Sequence, residues 1–333
     1  MVTGGAGYIG SHAALALLAR GWRVVIVDNL VTGVRELVPE SADFVNADVA
    51  DMATMSRVLR DHDCRAVLHF AGSVVVPESV ANPLKYYRNN TAASRNLLEA
   101  VLDTGVTKFI FSSTAAVYGN PESLPVDETA ALAPVSPYGM SKLMTETMLR
   151  DTAAATDLRY IALRYFNVAG ADPEGRSGQS TPEATHLIKA ACETVCGIRD
   201  SISIFGDDYD TPDGTGVRDY IHVTDLAEAH VAALDYLMAG GKSEVMNCGY
   251  GSGYSVKQVL DTLREVCGKD FPIKTAPRRP GDASEIYAET KRIRDVLGWV
   301  PKHDNLKEIV ASALAWERRR GKPLQPAGYT KLH

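Results

Sequence analysis

No stretch of the 333 residues is apolar for anything near the ~18 positions a membrane-crossing helix needs, although hydrophobic residues make up 45% of the chain. No membrane partner is expected. Positive charge is not in excess either: 35 Lys and Arg stand against 41 Asp and Glu, a net charge of −6. Proteins that grip nucleic acid along its backbone carry the opposite balance, so no nucleic-acid partner is expected, though local arginines can still hold a small anion. Cysteine is scarce, with five scattered residues (Cys64, Cys192, Cys196, Cys248 and Cys267). Cys192 and Cys196 share a helix face, but no second Cys/His pair at zinc spacing accompanies them. Buried free thiols in a reducing compartment are expected, and no metal. No basic stretch followed by an apolar one opens the chain, so no secretory leader is seen and a cytoplasmic location is expected. Repeats and low-complexity tracts are missing, and the length suits one large or two medium domains.

What is present is concentrated first at the start. Thr3-Gly4-Gly5-Ala6-Gly7-Tyr8-Ile9-Gly10 contains Gly5-x-Gly7-x-x-Gly10. Glycines at this spacing permit a tight turn, close approach of a pyrophosphate and close helix–strand packing. The next stretch, 11–20, reads as a helix whose N-terminus faces the phosphates. An apolar run from Trp22 then ends in Asp28, 18 residues after Gly10. That is the place for an acid that grips a ribose 2′-hydroxyl and repels a 2′-phosphate, so NAD is favoured over NADP. Only Met1 and Val2 precede Thr3, which predicts a stunted first strand.

Strand and helix signals alternate through the first half. Strands are predicted over 44–48, 66–71, 108–113 and 160–167, and helices over 52–61, 84–104, 136–155 and 181–197. Such alternation predicts an α/β, doubly wound parallel sheet with ligands at the carboxyl ends of the strands. Gly72, Ser112 to Thr114 and Asn167 stand at such ends. After about residue 170 the texture changes. Polar or charged loops at 170–179, 207–216 and 277–282 separate shorter elements, which predicts a smaller second α/β domain contributing to a cleft. The tail from Lys322 is expected to be an exposed end.

Tyr138 and Lys142 lie four residues apart, one helical turn, and so on one helix face. A fixed positive charge favours a phenolate and pulls the phenol from its usual value of about 10 toward neutrality; a shift of about 3 units needs about 4 kcal/mol. Alone, the pair equally reads as a surface Tyr–Lys contact. Behind a dinucleotide loop it reads as a base beside a hydride acceptor. Arg218 and Arg279 have planar forks that suit phosphate oxygens, or surface ion pairs. Thr114 and Asn167 are either ligand contacts or strand-end hydrogen bonders. His69 and His222 fall beside strand-like runs and are expected to be packed, hydrogen-bonded histidines.

With the glycine loop, Ser113-Thr114 and Tyr138-x-x-x-Lys142 in this order, the chain resembles the extended short-chain dehydrogenase/reductases. Further motifs make it similar to the UDP-glucose 4-epimerases of that family. These are His69-Phe70-Ala71-Gly72, the runs 111–119, 136–139 and 214–222, Leu163-Arg164-Tyr165-Phe166-Asn167, and Arg278-Arg279-Pro280-Gly281-Asp282. The similarity runs from residue 2 to about 318. It implies a Rossmann-type domain over 1–170 binding NAD and a UDP-sugar domain over 171–333, with segments such as 217–240 packing back on the first. It also implies reversible epimerisation at C4 of a UDP-hexose, UDP-galactose/UDP-glucose, through a 4-keto sugar, and a homodimer formed through the helices at 84–104 and 136–155.

Carried over residue by residue, the resemblance implies that Tyr138 is the acid–base on the 4-hydroxyl. Lys142 grips the nicotinamide ribose and lowers the Tyr138 pKa, and Thr114 hydrogen-bonds the reacting oxygen. The NAD site is implied at Gly4, Gly7, Tyr8, Ile9, Gly10, Asp28, Asn29, Asp48, Val49, Phe70, Ala71, Gly72, Asn89 and Ser112, with Tyr138, Lys142, Tyr165 and Phe166 beside it. The UDP-sugar site is implied at Thr114, Tyr138, Asn167, His186, Leu187, Phe205, Arg218, Arg279, Asp282 and Ile286. The chain departs from the family's usual pattern at three places. Val74 replaces a frequent lysine near the cofactor phosphate, and His186 replaces an asparagine near the diphosphate. Ile286 is intermediate at a position that gates the sugar 2-substituent, so UDP-N-acetylhexosamines or UDP-pentoses stay open as substrates. Sibling dehydratases carry Asp-Glu after the active-site Thr, and decarboxylases carry a Glu there. Ala115-Ala116 supplies neither, which disfavours both. A non-catalytic dinucleotide sensor would lose the Tyr/Lys pair, which is intact here.

Overall fold

The computed structural model describes residues 1–181, 184–279 and 282–321. The first half runs β1 (Val2–Thr3), α1 (Tyr8–Ala19), β2 (Val25–Asp28), β3 (Asp43–Asn46), α2 (Met52–Asp61), β4 (Val67–His69), α3 (Val76–Ala81), α4 (Pro83–Tyr86), α5 (Ala93–Asp103), β5 (Lys108–Ser112), α6 (Pro137–Ala155) and β6 (Arg159–Tyr165). The second half runs β7 (Asn167–Ala169), α7 (Leu187–Val195), β8 (Ile202–Phe205), β9 (Val217–Arg218), β10 (Tyr220–His222), α8 (Val223–Met238), β11 (Glu244–Cys248), β12 (Tyr254–Ser255), α9 (Val256–Cys267), β13 (Ile273–Ala276), β14 (Glu285–Ile286), α10 (Lys291–Leu297) and α11 (Leu306–Arg320).

Seven strands form one sheet in the order β11-β6-β5-β4-β1-β2-β3, every neighbour parallel. The chain winds outward in both directions from β1 and β4, so the crevice for a ligand opens past the carboxyl ends of those two strands. The strands alternate their burial between two layers, as a two-residue side-chain period requires. Ile26 and Ile110 pack on one face, in a core shared with α1 and with Leu226, Ala229 and Leu237 of α8. Val25, Val27, Phe109 and Phe111 pack on the other face against Leu59 of α2 and Leu97 of α5. Each such side chain contributes about 1.5–3 kcal/mol when buried, so the sheet is a rigid platform.

The second half instead holds small sheets: β10-β7, β12-β9-β14 and β13-β8. Its β11 completes the large sheet, and α8 lies along α1.

The first strand is two residues long, as predicted. Three other segments differ from the periodicity. The helix expected over 84–104 is divided into α4, a π-helical turn at Tyr87–Ala92 and α5. The widened turn leaves the Asn90 side chain bonded to the Ser73 backbone and to the Ser141 hydroxyl of α6. The strand expected over 160–167 ends at Tyr165, and Asn167 begins β7, which pairs with β10 in a different sheet. The helix expected over 181–197 is confined to Leu187–Val195; Pro182 and Glu183 lie outside the described residues. So do Pro280 and Gly281 of the 277–282 loop and the tail from Lys322.

Candidate active site

The glycine loop fits a dinucleotide phosphate by steric exclusion. A Cβ on Gly10 would stand 2.2 Å from the Gly4 carbonyl oxygen, and one on Gly4 would stand 2.6 Å from the Ala71 nitrogen. Backbone thus fills the places that side chains on Gly4 and Gly10 would take. Gly7 precedes α1 and no side chain caps it, so the helix N-terminus keeps free N–H groups and its positive dipole end for an anion. Tyr8 and Ile9 offer this cradle backbone only. The Tyr8 phenol donates to the Gly170 carbonyl at 2.6 Å, and the Ile9 side chain packs into the core.

Asp28 ends β2, 7% exposed, with its carboxylate accepting from the Ala6 N–H at 3.0 Å and the Leu30 N–H at 2.9 Å. Burial raises its pKa and the two N–H groups oppose that rise. Each oxygen keeps a lone pair for a ribose hydroxyl. Around it, Asn29 donates to Asp48 at 3.3 Å, Val49 is buried, and Asn89 donates to the Ser73 hydroxyl at 3.2 Å. Val74, the first departure from the family pattern, is 47% exposed.

Ser136 caps α6 by accepting from the Gly139 N–H at 3.2 Å, and Pro137 occupies the first turn, where its missing N–H costs nothing. Tyr138 therefore sits at the positive end of the helix dipole, which favours a phenolate. Its ring meets Tyr86 edge-on at 6.4 Å. Burial nevertheless pushes the phenol up, and the Thr114 hydroxyl beside it is the one group pulling it down. Thr114 has one lone pair occupied by the Ala116 N–H at 3.1 Å, which aims its own proton away from that turn.

The Lys142 ammonium is 3% exposed, donates to the Ser112 carbonyl at 2.9 Å and lies 4.9 Å from the centre of the Phe111 ring. Burial lowers its pKa to about 8, and the Glu146 carboxylate one turn further along opposes the fall. The sequence predicts Lys142 acting on the Tyr138 phenol; in the structure its ammonium donates to the carbonyl at the end of β5. Ser112 and Tyr165 hydroxyls bond each other across β5 and β6.

On the substrate side, Asn167, His186 and Leu187 line one cavity together with Tyr8 and Tyr220, and Tyr138, Thr114 and Lys142 are not among its walls. His186 is exposed at the start of α7. Burial pushes the Tyr220 phenol up to about 12, and the charges of Arg218 and Arg279 both oppose the rise. Arg218 donates to the Val217 carbonyl at 2.9 Å and the Ala283 carbonyl at 2.7 Å. Arg279 lies over the Phe205 ring at 4.7 Å and pairs with Asp282 at 2.8 Å. Ile286 and Phe166 pack in one apolar cluster with Ala115, next to Thr114, which joins the two halves of the site.

His69 and His222 are packed and hydrogen-bonded: His69 to Thr3 at 2.7 Å and Ser94 at 2.8 Å, His222 to the Thr224 N–H at 3.1 Å and Ser312 at 3.1 Å. All five cysteines are free. The sequence did not single out Tyr220, the Glu146–Arg164 pair, or His230, whose ring packs on Phe70 at 4.7 Å and Tyr165 at 6.3 Å. Glu146 carried a usable signal, standing four residues past Lys142 on the same helix face.

The NAD dependent epimerase/dehydratase family model matches residues 1–249. A UDP-glucose 4-epimerase of Azospirillum brasilense is 58% identical over 98% of this chain and 94% of its own length. The crystal structure of UDP-glucose 4-epimerase from Brucella ovis in complex with NAD superposes with a TM-score of 0.92 at 43% identity, covering 94% of this chain and 96% of that one. The UDP-Glc/GlcNAc 4-epimerase of Campylobacter jejuni does so with a TM-score of 0.84 at 47% identity, covering 96% of this chain and 98% of that one.

Proposed function

We propose a function from one premise: the chain belongs to the NAD dependent epimerase/dehydratase family. It is an NAD-dependent 4-epimerase of a UDP-hexose, interconverting UDP-galactose and UDP-glucose. One observation carries the choice among the chemistries of this scaffold. Thr114 and Tyr138 meet at a turn whose next residues are Ala115 and Ala116, so one proton carrier serves the sugar and no second acid stands by to expel water.

Geometry and family resemblance together support the following roles. The glycine loop, the α1 N-terminus and Asp28 hold the dinucleotide, and Lys142 holds the ribose next to its nicotinamide. When bound, NAD supplies the acceptor and later the donor of one hydride. Tyr138 takes the proton of the sugar 4-hydroxyl, while the Thr114 hydroxyl donates to the same oxygen and fixes it. The 4-keto sugar then turns about its phosphate linkage, and Tyr138 returns the proton after the opposite face is presented. Turning requires a held diphosphate and a loosely held hexose. We assign the holding to Arg218 and Arg279, and a part in the sugar-nucleotide site to Asn167, Leu187 and His186, which line one cavity with Tyr220.

We assign residues 1–170 to dinucleotide binding and 171–333 to the UDP-sugar. A homodimer is supported by apolar side chains left exposed beside α6, Val80 at 64%, Leu84 at 76% and Met144 at 40%. Free cysteines support a reducing, cytoplasmic setting. A second substrate class, UDP-N-acetylhexosamines, is favoured by Ile286, which is smaller than a tyrosine would be at the sugar side.

Purified protein is expected to convert UDP-galactose to UDP-glucose without added NAD, followed by NMR of the products, and the same preparation to scatter light as twice the chain mass. A strict requirement for added NADP overturns the cofactor assignment, and conversion of an N-acetylated sugar alone overturns the hexose.

A further inference from the structure

Asp219 is fully buried, and among the described residues no lysine or arginine pairs with it. Its carboxylate is held by backbone N–H groups instead. Tyr250 donates at 3.0 Å to one oxygen and 3.1 Å to the other, Gly251 donates at 3.1 Å, and Ala288 at 3.3 Å. Its own backbone is engaged on both sides. The carbonyl accepts from the Asn167 N–H at 3.0 Å, and its N–H donates to the Ile286 carbonyl at 3.2 Å. Gly249 closes the space behind it, since a Cβ there would stand 2.5 Å from the carboxylate.

These bonds reach three segments that are otherwise weakly built. β7 has three residues, and β9 and β14 have two each. Two- and three-residue strands do not fix their own register. Asp219 follows Arg218 directly. It grips the β14 segment at two points, the Ile286 carbonyl and the Ala288 N–H, which stops that strand sliding past Arg218. Through Asn167 it ties both to the end of the large sheet's sixth strand.

We infer that Asp219 is a positioning residue that sets the register of the substrate half: its backbone bonds Asn167 and Ile286 on either side of Arg218, and its buried carboxylate pins that backbone by holding the Tyr250, Gly251 and Ala288 N–H groups. The inference rests on the assignment of Asn167, Arg218 and Ile286 to the UDP-sugar site. A carboxylate is needed because every neighbour is a donor. An asparagine can keep the oxygen that accepts from all three N–H groups, but it sets an NH₂ group against the Tyr250 N–H and leaves that NH₂ without an acceptor in the interior.

The test is Asp219→Asn in the full-length protein, read by UDP-galactose kinetics and, separately, by calorimetric binding of UDP and by the NAD content of the purified enzyme. The expected result is a KM and a UDP Kd raised about tenfold or more, with saturating kcat changed less than about threefold and NAD content unaltered. A kcat loss at unchanged KM, or an unchanged UDP Kd, overturns the inference. If Asp219→Asn does not fold, Gly249→Ala is the second variant, since it pushes a methyl toward the same carboxylate; it must raise the UDP Kd in the same direction, and an unaltered Kd overturns the inference. Calorimetry with UDP needs no turnover. A wild type that binds UDP but leaves UDP-galactose unchanged sinks the epimerase assignment without touching the role of Asp219.

Discussion

Lys142 in the dinucleotide half is 3% exposed and its ammonium is fixed on a strand-end carbonyl, whereas the Arg279 side chain in the substrate half is 42% exposed and paired with an acid three residues away. The contrast extends to everything around them. Tyr138 and Thr114 are 9% and 8% exposed and sit on a seven-stranded sheet and a 19-residue helix. Phe205 is 40% exposed and belongs to a two-stranded sheet. One half presents groups whose positions the core dictates; the other presents half-exposed groups held by internal partners, which under the proposed assignment give way to a ligand at small cost. A reaction in which protons and hydride must meet at fixed points while a hexose turns over requires this division.

The largest effect should come from the rigid half. Tyr138→Phe removes the proposed base without altering the packing against Tyr86 and is expected to lower kcat by about 10²–10⁴ while UDP binding by calorimetry stays near wild type. If the variant instead keeps its kcat and loses UDP affinity, the division of labour between the halves is wrong.

A matched pair of substitutions measures the same contrast in stability. Glu146 accepts from Arg164 at 2.6 and 3.0 Å and from the Ser113 hydroxyl, with side-chain exposures of 4% for Arg164 and 6% for Glu146. Arg164 reaches on to Tyr118 at 3.0 Å, and Tyr118 to Asn247 at 2.7 Å. Glu146→Gln strands a buried guanidinium and should cost about 3–5 kcal/mol in urea unfolding. Asp282→Asn breaks the half-exposed pair with Arg279 and should cost less than about 1 kcal/mol. Equal costs would mean that the two halves are held alike.

Legibility in the sequence follows the same line. The dinucleotide half was readable because its signals are local: a glycine spacing, an acid at a strand end, a tyrosine and a lysine one turn apart. Its misreadings arose where a distant partner decides the outcome. Periodicity continues unbroken through 84–104, and nothing local announces that Asn90 will bond Ser73 and Ser141 across a π-helical turn. The run from Tyr160 to Asn167 is apolar enough for one strand, but Asn167 finds its partner in Tyr220, 53 residues on. The substrate half was readable through family resemblance more than through pattern. Two-residue strands carry almost no periodic signal, and Asp219 inside a strand-like run looks like any surface acid until the donors around it are seen.

The smallest effect on turnover tests whether the looser half is firm where it must be. Ile286 lies on a two-residue strand, yet its carbonyl and the N–H two residues on are both bonded to Asp219, and its side chain packs with Phe166 and Ala115. Added bulk at this position therefore cannot be relieved by sliding the strand, and it cannot enter the cluster, which the fully buried Val117, Tyr118 and Val126 fill. It must go toward the sugar. Ile286→Tyr is expected to reduce kcat/KM for a UDP-N-acetylhexosamine about tenfold more than for UDP-galactose, since the 2-acetamido group is the part that needs the space. Equal losses on both sugars would show that the strand yields as a whole, and the substrate half would then be adjustable at its inner edge as well as at its arginines.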